Sequence, residues 1–470
     1  MTHRSHLLAR RAFLQRMGQL SLASTAMPWA INLAAMGEAA AFNASDDYKA
    51  LVCVFLYGGN DHGNTLVPCD PDRYAEYAKV RGGLATPRAA LDATQLAALP
   101  DGTQYALAPQ LAPLLPLFEA GQLAVQLNVG PLIQPTTLAQ FRQRSVPLPP
   151  KLFSHNDQQS VWQSSGAEGA VRGWGGRMGD LALSQNGQSL FTCMSVTGNA
   201  VFVSGQNAMT YQIGTRGATP VEGAQDKLYG SAAGAEALKR LITETRRHAM
   251  EQALNRITTR SMSAYGTLTS ALDGVSDDMT AELPDSIDSP HRNGLAAQLR
   301  MVARLISAHQ ALGMKRQVFM VSMGDFDLHD GLLQKHPALL TRVGRALAGF
   351  HQAISKLGLG ANVTTFTASE FGRTLTSNGD GSDHGWGSHH FVMGGAVKGG
   401  RFYGQAPQVA LGGQEDTGQG RLLPSTSVDQ FAAALARWFG VSDTELPLVA
   451  PHIRNFGMQW PDFMHTGANA

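Results

Sequence analysis

Five stretches of the chain are mainly apolar and carry no charged residue. The first covers residues 51–57 and is followed by the turn-forming sequence Gly58-Gly59-Asn60-Asp61. A strand without a polar face must be covered on both sides, which is typical of a strand inside a parallel sheet. The four later stretches are residues 123–129, 190–196, 317–323 and 363–367.

Helical patterns lie between several of these predicted strands, and strands that alternate with helices indicate βαβ units. We therefore predict an α/β fold in which a doubly wound, mostly parallel sheet is sandwiched by helices. We find no internal repeat and no low-complexity linker, so a single domain is expected over residues 45–468. Helices are predicted at residues 111–118, 156–163, 295–312, 337–357 and 427–439, with a peripheral helical stretch at residues 238–272.

The N-terminus has the pattern of a twin-arginine signal peptide over residues 1–41. Arg10 and Arg11 precede a mildly apolar stretch, and small residues at 39–41 suit a signal peptidase. The stretch is too weakly apolar to anchor a stable membrane span. We expect the twin-arginine translocase to export the protein to the periplasm or beyond. An ordinary amphipathic N-terminal helix is the alternative.

Charge and cysteine content exclude two classes of protein. The leader carries four arginines and one acid, so its removal takes the formal net charge from +1 to −2. A chain with that charge and no basic run has no electrostatic reason to bind nucleic acid. Three cysteines without a CxxC pair are too few for a disulfide scaffold or a structural zinc site. A disulfide between Cys53 and Cys69 remains open.

Acids and imidazoles follow several predicted strands. Ligands of parallel sheets bind beyond the carboxyl ends of the strands, so these side chains are expected at one edge. A mixed Asp/His set without thiolate suits one or two divalent ions such as Zn, Mn or Ca. The alternative is that each acid caps the next helix and each histidine is structural. The candidate ligands are Asp61, Asp327, His329, Asp383, His384 and His389.

Two further residues are candidates for catalysis. Ser154 is predicted at the start of a helix, where the helix dipole and a nearby metal would activate its hydroxyl as a nucleophile. The alternative is that Ser154 caps the helix. Arg373 follows a strand end beside Glu370 and either clamps a substrate oxyanion or pairs with Glu370.

At these residues the chain resembles a bacterial family of twin-arginine-exported proteins related to sulfatases, within the alkaline phosphatase superfamily. The resemblance implies a two-metal centre and a nucleophile that attacks a phosphate or sulfate ester. Asp61 would be the strand-one ligand and Ser154 the nucleophile. The matching stretches are residues 55–61, Ser154-His155 with Gln158 and Trp162, residues 326–329, residues 369–374 and residues 383–400.

The same resemblance implies how the remaining ligands are divided. Asp327 and His329 would bind one metal, Asp383 and His384 the other, and His389 or His390 would complete the set. Two assignments stay open. Asp325 has the DxxxH spacing to His329 that the superfamily commonly shows, and Glu370 could be the strand-end acid instead.

One sulfatase feature is interpreted as a chance match. Residues 69–73 fit the bare CxPxR pattern in which the cysteine becomes formylglycine. The match follows Asp61 closely, and Asp72 stands where sulfatases usually carry a small residue. Asp70 and Pro71 also suit a plain helix start.

These observations predict an exported metal-dependent hydrolase that acts on phosphate or sulfate esters of a small molecule or polysaccharide. The alternative is a non-catalytic exported protein of the same fold, which binds a metal or polysaccharide and takes part in cell-surface assembly. A metal-independent serine esterase is disfavoured because the chain has no GxSxG motif.

Overall fold

The computed structural model describes residues 47–275, 278–289 and 294–465. The predicted signal peptide, residues 1–41, lies outside the described residues, so the export assignment stays a prediction.

A large sheet dominates the described part of the chain. Within it, nine strands run in the order β12-β4-β11-β8-β1-β7-β5-β6, with β13 also paired to β4. The paired neighbours are parallel, except that β11 is antiparallel to both β4 and β8. The strands of this sheet are β1 (Lys49–Leu56), β4 (Leu123–Gly130), β5 (Cys193–Ser195), β6 (Thr210–Gln212), β7 (Arg316–Met323), β8 (Val363–Ala368), β11 (Ser388–Met393), β12 (Arg401–Tyr403) and β13 (Thr426–Ser427).

Two small antiparallel pairs stand apart from the large sheet. One joins β2 (Leu66–Pro68) to β3 (Tyr105–Leu107), and the other joins β9 (Arg373–Ser377) to β10 (Ser382–His384). The second pair lies just after β8 in the chain and just before β11.

Helices fill the connections between strands. Asp70 caps the first of them through its carboxylate, which accepts a 3.1 Å hydrogen bond from the Arg73 amide, as the Asp-Pro start predicted. The α-helices are α1 (Pro71–Arg81), α2 (Leu115–Glu119), α3 (Leu138–Gln143), α4 (His155–Ser164), α5 (Trp174–Ala182), α6 (Ala232–Thr243), α7 (Ala249–Asp273), α8 (Leu295–Ser307), α9 (Leu332–Lys356), α10 (Val428–Phe439) and α11 (Leu446–Val449).

The central strand β1 faces a hydrophobic core on each side. Val52 and Val54 belong to one core with residues of α8 and α9. Cys53 and Phe55 belong to the other, with Trp162 of α4 and residues of α5 and α10. Alternation of side chains along the strand places these neighbours on opposite faces. The predicted mixed α/β architecture, with a large mostly parallel sheet flanked by helices, is therefore confirmed.

Several predicted elements differ from the structure, among them one helix and one strand. Residues 111–118 do not form one helix, because Pro113 and Pro116 interrupt the hydrogen bonding, and the 3-10 helix Pro109–Leu114 precedes the short α2 instead. The strand predicted at residues 190–196 is reduced to Cys193–Ser195, after a 3-10 turn at Ser189–Phe191.

Strand β11 was not predicted, and it determines how the site is assembled. It lies between β4 and β8 and runs against them. Its first residue therefore lies at the edge where the neighbouring strands end. The β9–β10 hairpin, which immediately precedes β11, is held at that edge as well.

No helix in the described ranges is both long enough and apolar enough to cross a membrane. The three cysteines all fall within the described residues, where each is buried and none forms a disulfide. The open question of a Cys53–Cys69 bridge is thus answered in the negative for this structure.

Gly58 links the first strand to the later part of the chain by close backbone contact. Its φ is +113°, and a Cβ atom added there would lie 2.3 Å from the Asp327 backbone nitrogen. A residue with a side chain at this position would be strained by the positive φ, and its Cβ atom would clash with backbone atoms that cannot move away.

We predict that Gly58→Ala lowers the free energy of unfolding by about 3 kcal/mol, combining about 1 kcal/mol of backbone strain with the overpacking cost. Gly102→Ala is the matched control, because Gly102 has a φ of +82° but open space around its Cβ position. Thermal unfolding of both variants separates the two causes. Equal midpoints for the two variants would contradict the proposed backbone clash.

Candidate functional site

Four segments converge beyond the carboxyl ends of the central strands. They are the start of α4, the loop after β7, the loop after β8, and the β9–β10 hairpin. Together they bring five acid and imidazole side chains into one cluster, the convergent cluster: His155, Asp327, His329, Asp383 and His384. Four of these five were predicted from the sequence, and His155 was not among the predicted ligands.

Asp327 lies at the centre of the convergent cluster. Its Oδ1 atom is 3.1 Å from Nε2 of His329 and 3.1 Å from Nε2 of His384. Its Oδ2 atom is 3.3 Å from Nε2 of His155. Three imidazole rings thus present the same ring nitrogen to one carboxylate.

The other nitrogen of each ring faces an oxygen acceptor. Nδ1 of His384 is 2.7 Å from the Phe153 carbonyl oxygen, and Nδ1 of His155 is 2.8 Å from Oε1 of Glu370. Nδ1 of His329 is 3.2 Å from Oδ1 of Asp383. An oxygen acceptor requires the proton on Nδ1, which leaves the lone pair of a neutral ring on Nε2. Such support from carbonyls and carboxylates is typical of metal-binding histidines.

The spacing of donor atoms around Asp327 fits a bound cation. Nε2 of His329 is 2.9 Å from Nε2 of His384, and each lies 3.1 Å from Oδ1 of Asp327. Ligand atoms of a tetrahedral zinc ion, at about 2.0–2.1 Å from the metal, are about 3.3 Å apart. Ligand atoms of His155, Asp327 and His384 also lie within 4.8 Å of one another. The described residues therefore contain a donor set of metal-binding dimensions.

The surroundings of the cluster lower the pKa values of Asp327 and His384 and raise that of His155. Burial raises the pKa of Asp327, but the hydrogen bond and charge of Arg373 outweigh it, so the net pKa is lowered. Burial lowers the pKa of His384, and the charges of His155 and Arg373 add to that effect. The hydrogen bond to Glu370 raises the pKa of His155. Asp327 is held as a carboxylate and His384 as a neutral ring, the forms that bind metals.

Arg373 holds Asp327 in place. It is 1% exposed, and Nη1 donates to Oδ1 of Asp327 at 2.7 Å and to the Gly58 carbonyl at 3.1 Å. Nη2 donates to the Ser382 carbonyl. Of the two roles left open for Arg373, an ion pair is present, but its partner is Asp327 rather than Glu370. Its donors are used by the protein, which leaves little capacity for a substrate oxyanion.

Glu370 is a completely buried carboxylate that supports the cluster from behind. Its Oε1 atom accepts hydrogen bonds from the Gly58 amide at 2.9 Å and from Nε2 of Gln159 at 3.0 Å, besides its contact with His155. The strand-end acid therefore joins the site as a positioning group for an imidazole. The sequence left this question open.

Ser154 lies at the N-cap position of α4, yet its side chain accepts no capping hydrogen bond. Its hydroxyl donates instead to Oδ2 of Asp157, at 2.8 Å. The simple capping role is thus not what the structure contains. A hydroxyl hydrogen-bonded to a carboxylate, between Phe153 and His155 of the site, has the arrangement of a nucleophile with its base.

Asp61 and His389 are not brought into the cluster. Asp61 is buried, and its Oδ2 atom forms a 2.6 Å ion pair with Nη2 of Arg81 in α1. His389 is buried on β11, where its Nδ1 accepts a 3.0 Å hydrogen bond from the backbone N–H of Asn128. Both side chains are thus used in the interior, and neither is retained as a candidate ligand. Asp325 is exposed and has no contact with the cluster among the described residues, so the structure favours Asp327.

The chain matches one protein family over most of its length, whereas its likeness to solved structures is remote. The sequence matches the family described as "Protein of unknown function (DUF1501)" over residues 48–447. No curated protein matches the chain. Ps i-CgsB, in complex with k-i-k-neocarrahexaose, is 10% identical with a TM-score of 0.34, over 87% of this chain and 77% of that chain. A structure from glycosaminoglycan metabolism by Bacteroides thetaiotaomicron is 11% identical with a TM-score of 0.33, over 85% and 74%. Neither likeness carries an argument about activity.

We predict that Asp61 stabilises the fold through a buried ion pair rather than through a metal. Burial raises the pKa of Asp61, but the charge of Arg81, with smaller effects of His336 and His62, lowers it to about 2. A depressed pKa gives stability that is present above the unfolded value of 3.8 and lost as the pH falls towards 2.

Asp61→Asn should therefore cost about 2 kcal/mol at pH 7, and this cost should shrink below pH 4. Thermal unfolding of wild type and variant at both pH values measures the difference. Asp92→Asn is the control at an exposed carboxylate. A cost that does not change with pH would contradict the ion-pair account.

Proposed function

The chain belongs to the DUF1501 family, and for this member we propose a divalent-metal-dependent hydrolase of phosphate or sulfate esters. The proposed metal site consists of Nε2 of His155, His329 and His384 with the carboxylate of Asp327. The observation that carries this proposal is that each ring keeps Nδ1 on an oxygen acceptor and turns Nε2 towards the same carboxylate.

The donor set indicates the kind of ion. Imidazole nitrogen with one carboxylate suits Zn or Mn, whereas Ca prefers an all-oxygen cage of six to eight ligands. The three-histidine set therefore favours Zn or Mn over Ca. Because Asp61 and His389 lie apart from the cluster, the proposal is for one ion rather than two.

The proposed reaction uses Ser154 and Asp157, whose side chains already contact one another. A bound divalent ion would polarise the ester oxygens and lower the pKa of a hydroxyl placed against it. Ser154 would attack phosphorus or sulfur through Oγ, and Asp157 would accept the hydroxyl proton over the observed 2.8 Å. The ester bond to the leaving alcohol breaks, and water then releases the phosphate or sulfate from Ser154.

Solvent access to the cluster supports a role for substrates from outside. The side chains of Asp327 and His329 are 44% and 43% exposed, although their supporting residues Arg373 and Glu370 are buried. An open cluster on a rigid base is consistent with small-molecule or polysaccharide esters. Export by the twin-arginine route, a periplasmic or secreted location and membership of the alkaline phosphatase superfamily are part of the same proposal.

A second candidate function is a non-catalytic metal-binding protein of the cell surface. One observation favours it: two residues assigned to a two-metal centre, Asp61 and His389, are used in interior contacts. The two candidates differ in turnover and not in metal binding, so they are distinguishable by experiment.

We predict that the purified mature protein binds one Zn or Mn ion per chain. Asp327→Asn and His384→Ala should each weaken binding at least 100-fold, on the order of 3 kcal/mol, because each removes a direct ligand. Asp330→Asn is the matched control, since Asp330 is exposed and pairs with Lys335 at 3.0 Å. Elemental analysis measures the number of metal ions per chain, and titration calorimetry measures the metal affinity of the wild type and of each variant. Equal affinity in Asp327→Asn and Asp330→Asn would remove the proposed site.

We predict that Ser154→Ala abolishes ester hydrolysis and leaves metal affinity unchanged, because the hydroxyl is the nucleophile and not a ligand. The assay uses the metal-loaded protein with aryl phosphates, aryl phosphodiesters and aryl sulfates. Ser145→Ala is the control at an exposed serine. Full activity in Ser154→Ala would exclude this nucleophile, and no turnover of any ester by metal-loaded wild type would favour the non-catalytic candidate.

A further inference from the structure

Arg421 is held against His384 and against Phe153, the residue that positions the His384 ring. Its Nε atom donates to the His384 carbonyl oxygen at 2.7 Å. Its guanidinium carbon lies 5.1 Å from the centroid of the Phe153 ring, the residue whose carbonyl oxygen accepts from His384. The charge of Arg421 also lowers the pKa of Asp383, after the larger effects of the Asn378 hydrogen bond and of His329. Arg421 therefore lies beside the convergent cluster.

The guanidinium has unused hydrogen-bond donors. Besides the bond from Nε, Nη1 donates to the Gly418 carbonyl at 3.2 Å. Among the described residues, none accepts a hydrogen bond from Nη2 of Arg421. By contrast, Arg373 is buried and its donors are used by protein oxygens. A half-buried guanidinium, fixed by stacking and two hydrogen bonds, has lost much of its rotational freedom before any ligand arrives.

No carboxylate among the described residues forms an ion pair with Arg421. The negative charges of Asp383 and Asp416 act on Arg421 without such a contact. A planar guanidinium with free donors binds phosphoryl and sulfuryl oxygens well.

We propose that Arg421 binds a terminal oxyanion of the substrate, so that the site takes phosphate or sulfate monoesters rather than neutral esters. This inference rests on the proposed function, since it concerns a ligand of the same site. The role that the sequence suggested for Arg373 is thereby assigned to Arg421, whose Nη2 donates to no acceptor among the described residues.

The test uses inorganic phosphate and inorganic sulfate as probes on the metal-loaded, full-length mature protein. Titration calorimetry gives the metal affinity and then the affinity of each anion. Arg421→Ala should weaken binding of the preferred anion about 10- to 100-fold, the loss of a charge-assisted hydrogen bond of about 1.5–3 kcal/mol. Arg421→Lys should retain part of that affinity, because the charge stays while the planar donors go. Arg401→Ala is the control at an exposed arginine.

The outcomes separate the two proposals. Unchanged metal affinity with weakened anion binding supports the role of Arg421, and the tighter anion indicates whether the ester is a phosphate or a sulfate. Unchanged anion affinity in Arg421→Ala overturns the inference while the metal site stands. Loss of metal affinity in both Arg421 variants also overturns it, since Arg421 would then only position His384. No metal binding by wild type removes both proposals.

Discussion

Three imidazole rings can share one carboxylate because each ring is already held at its other nitrogen. His155, His329 and His384 depend on acceptors from different parts of the chain: a buried glutamate, an aspartate of the β9–β10 hairpin and a backbone carbonyl. With Nδ1 occupied, rotation of a ring would break a hydrogen bond, so the Nε2 atoms stay directed at Asp327. In the proposed metal site, a bound cation would relieve the repulsion between these lone pairs.

The base under these rings is made of buried charge and strained backbone. Glu370 and Arg373 are almost inaccessible to solvent, and both form a hydrogen bond with the backbone of Gly58, in the turn after β1. Phe153, whose carbonyl holds His384, has a φ of +72°, a costly value for a residue with a side chain. Removing one partner of a buried charge network usually destabilises a protein by more than the intact network stabilises it. Within this network, the hydrogen bond from Arg373 holds the carboxylate of Asp327.

The architecture could be predicted because buried strands leave a local signal. The uncharged runs of β1, β4, β7 and β8 are readable without any partner, and the strand-end rule then places Asp327 and His384 at one edge. That rule predicts at which edge of the sheet a side chain lies, but not whether the side chain is buried or reaches the cluster. Asp61 satisfies it and yet turns to Arg81, 20 positions away in a helix, which no local pattern reveals. His155 follows no predicted strand, and it was named only within the stretch Ser154-His155 of the family resemblance.

The antiparallel strand β11 shows a second limit of the sequence. Its apolar residues were visible, but its direction depends on which neighbours it pairs with, and that direction decides where His384 and His389 lie.

The proposed function requires one metal ion among three histidines and Asp327. Anomalous diffraction from crystals grown with Zn or Mn tests it most directly. The account predicts one strong peak about 2 Å from Nε2 of His155, His329 and His384. A peak at another place would contradict the proposed site. So would the absence of a peak in crystals of protein that is fully loaded with metal in solution.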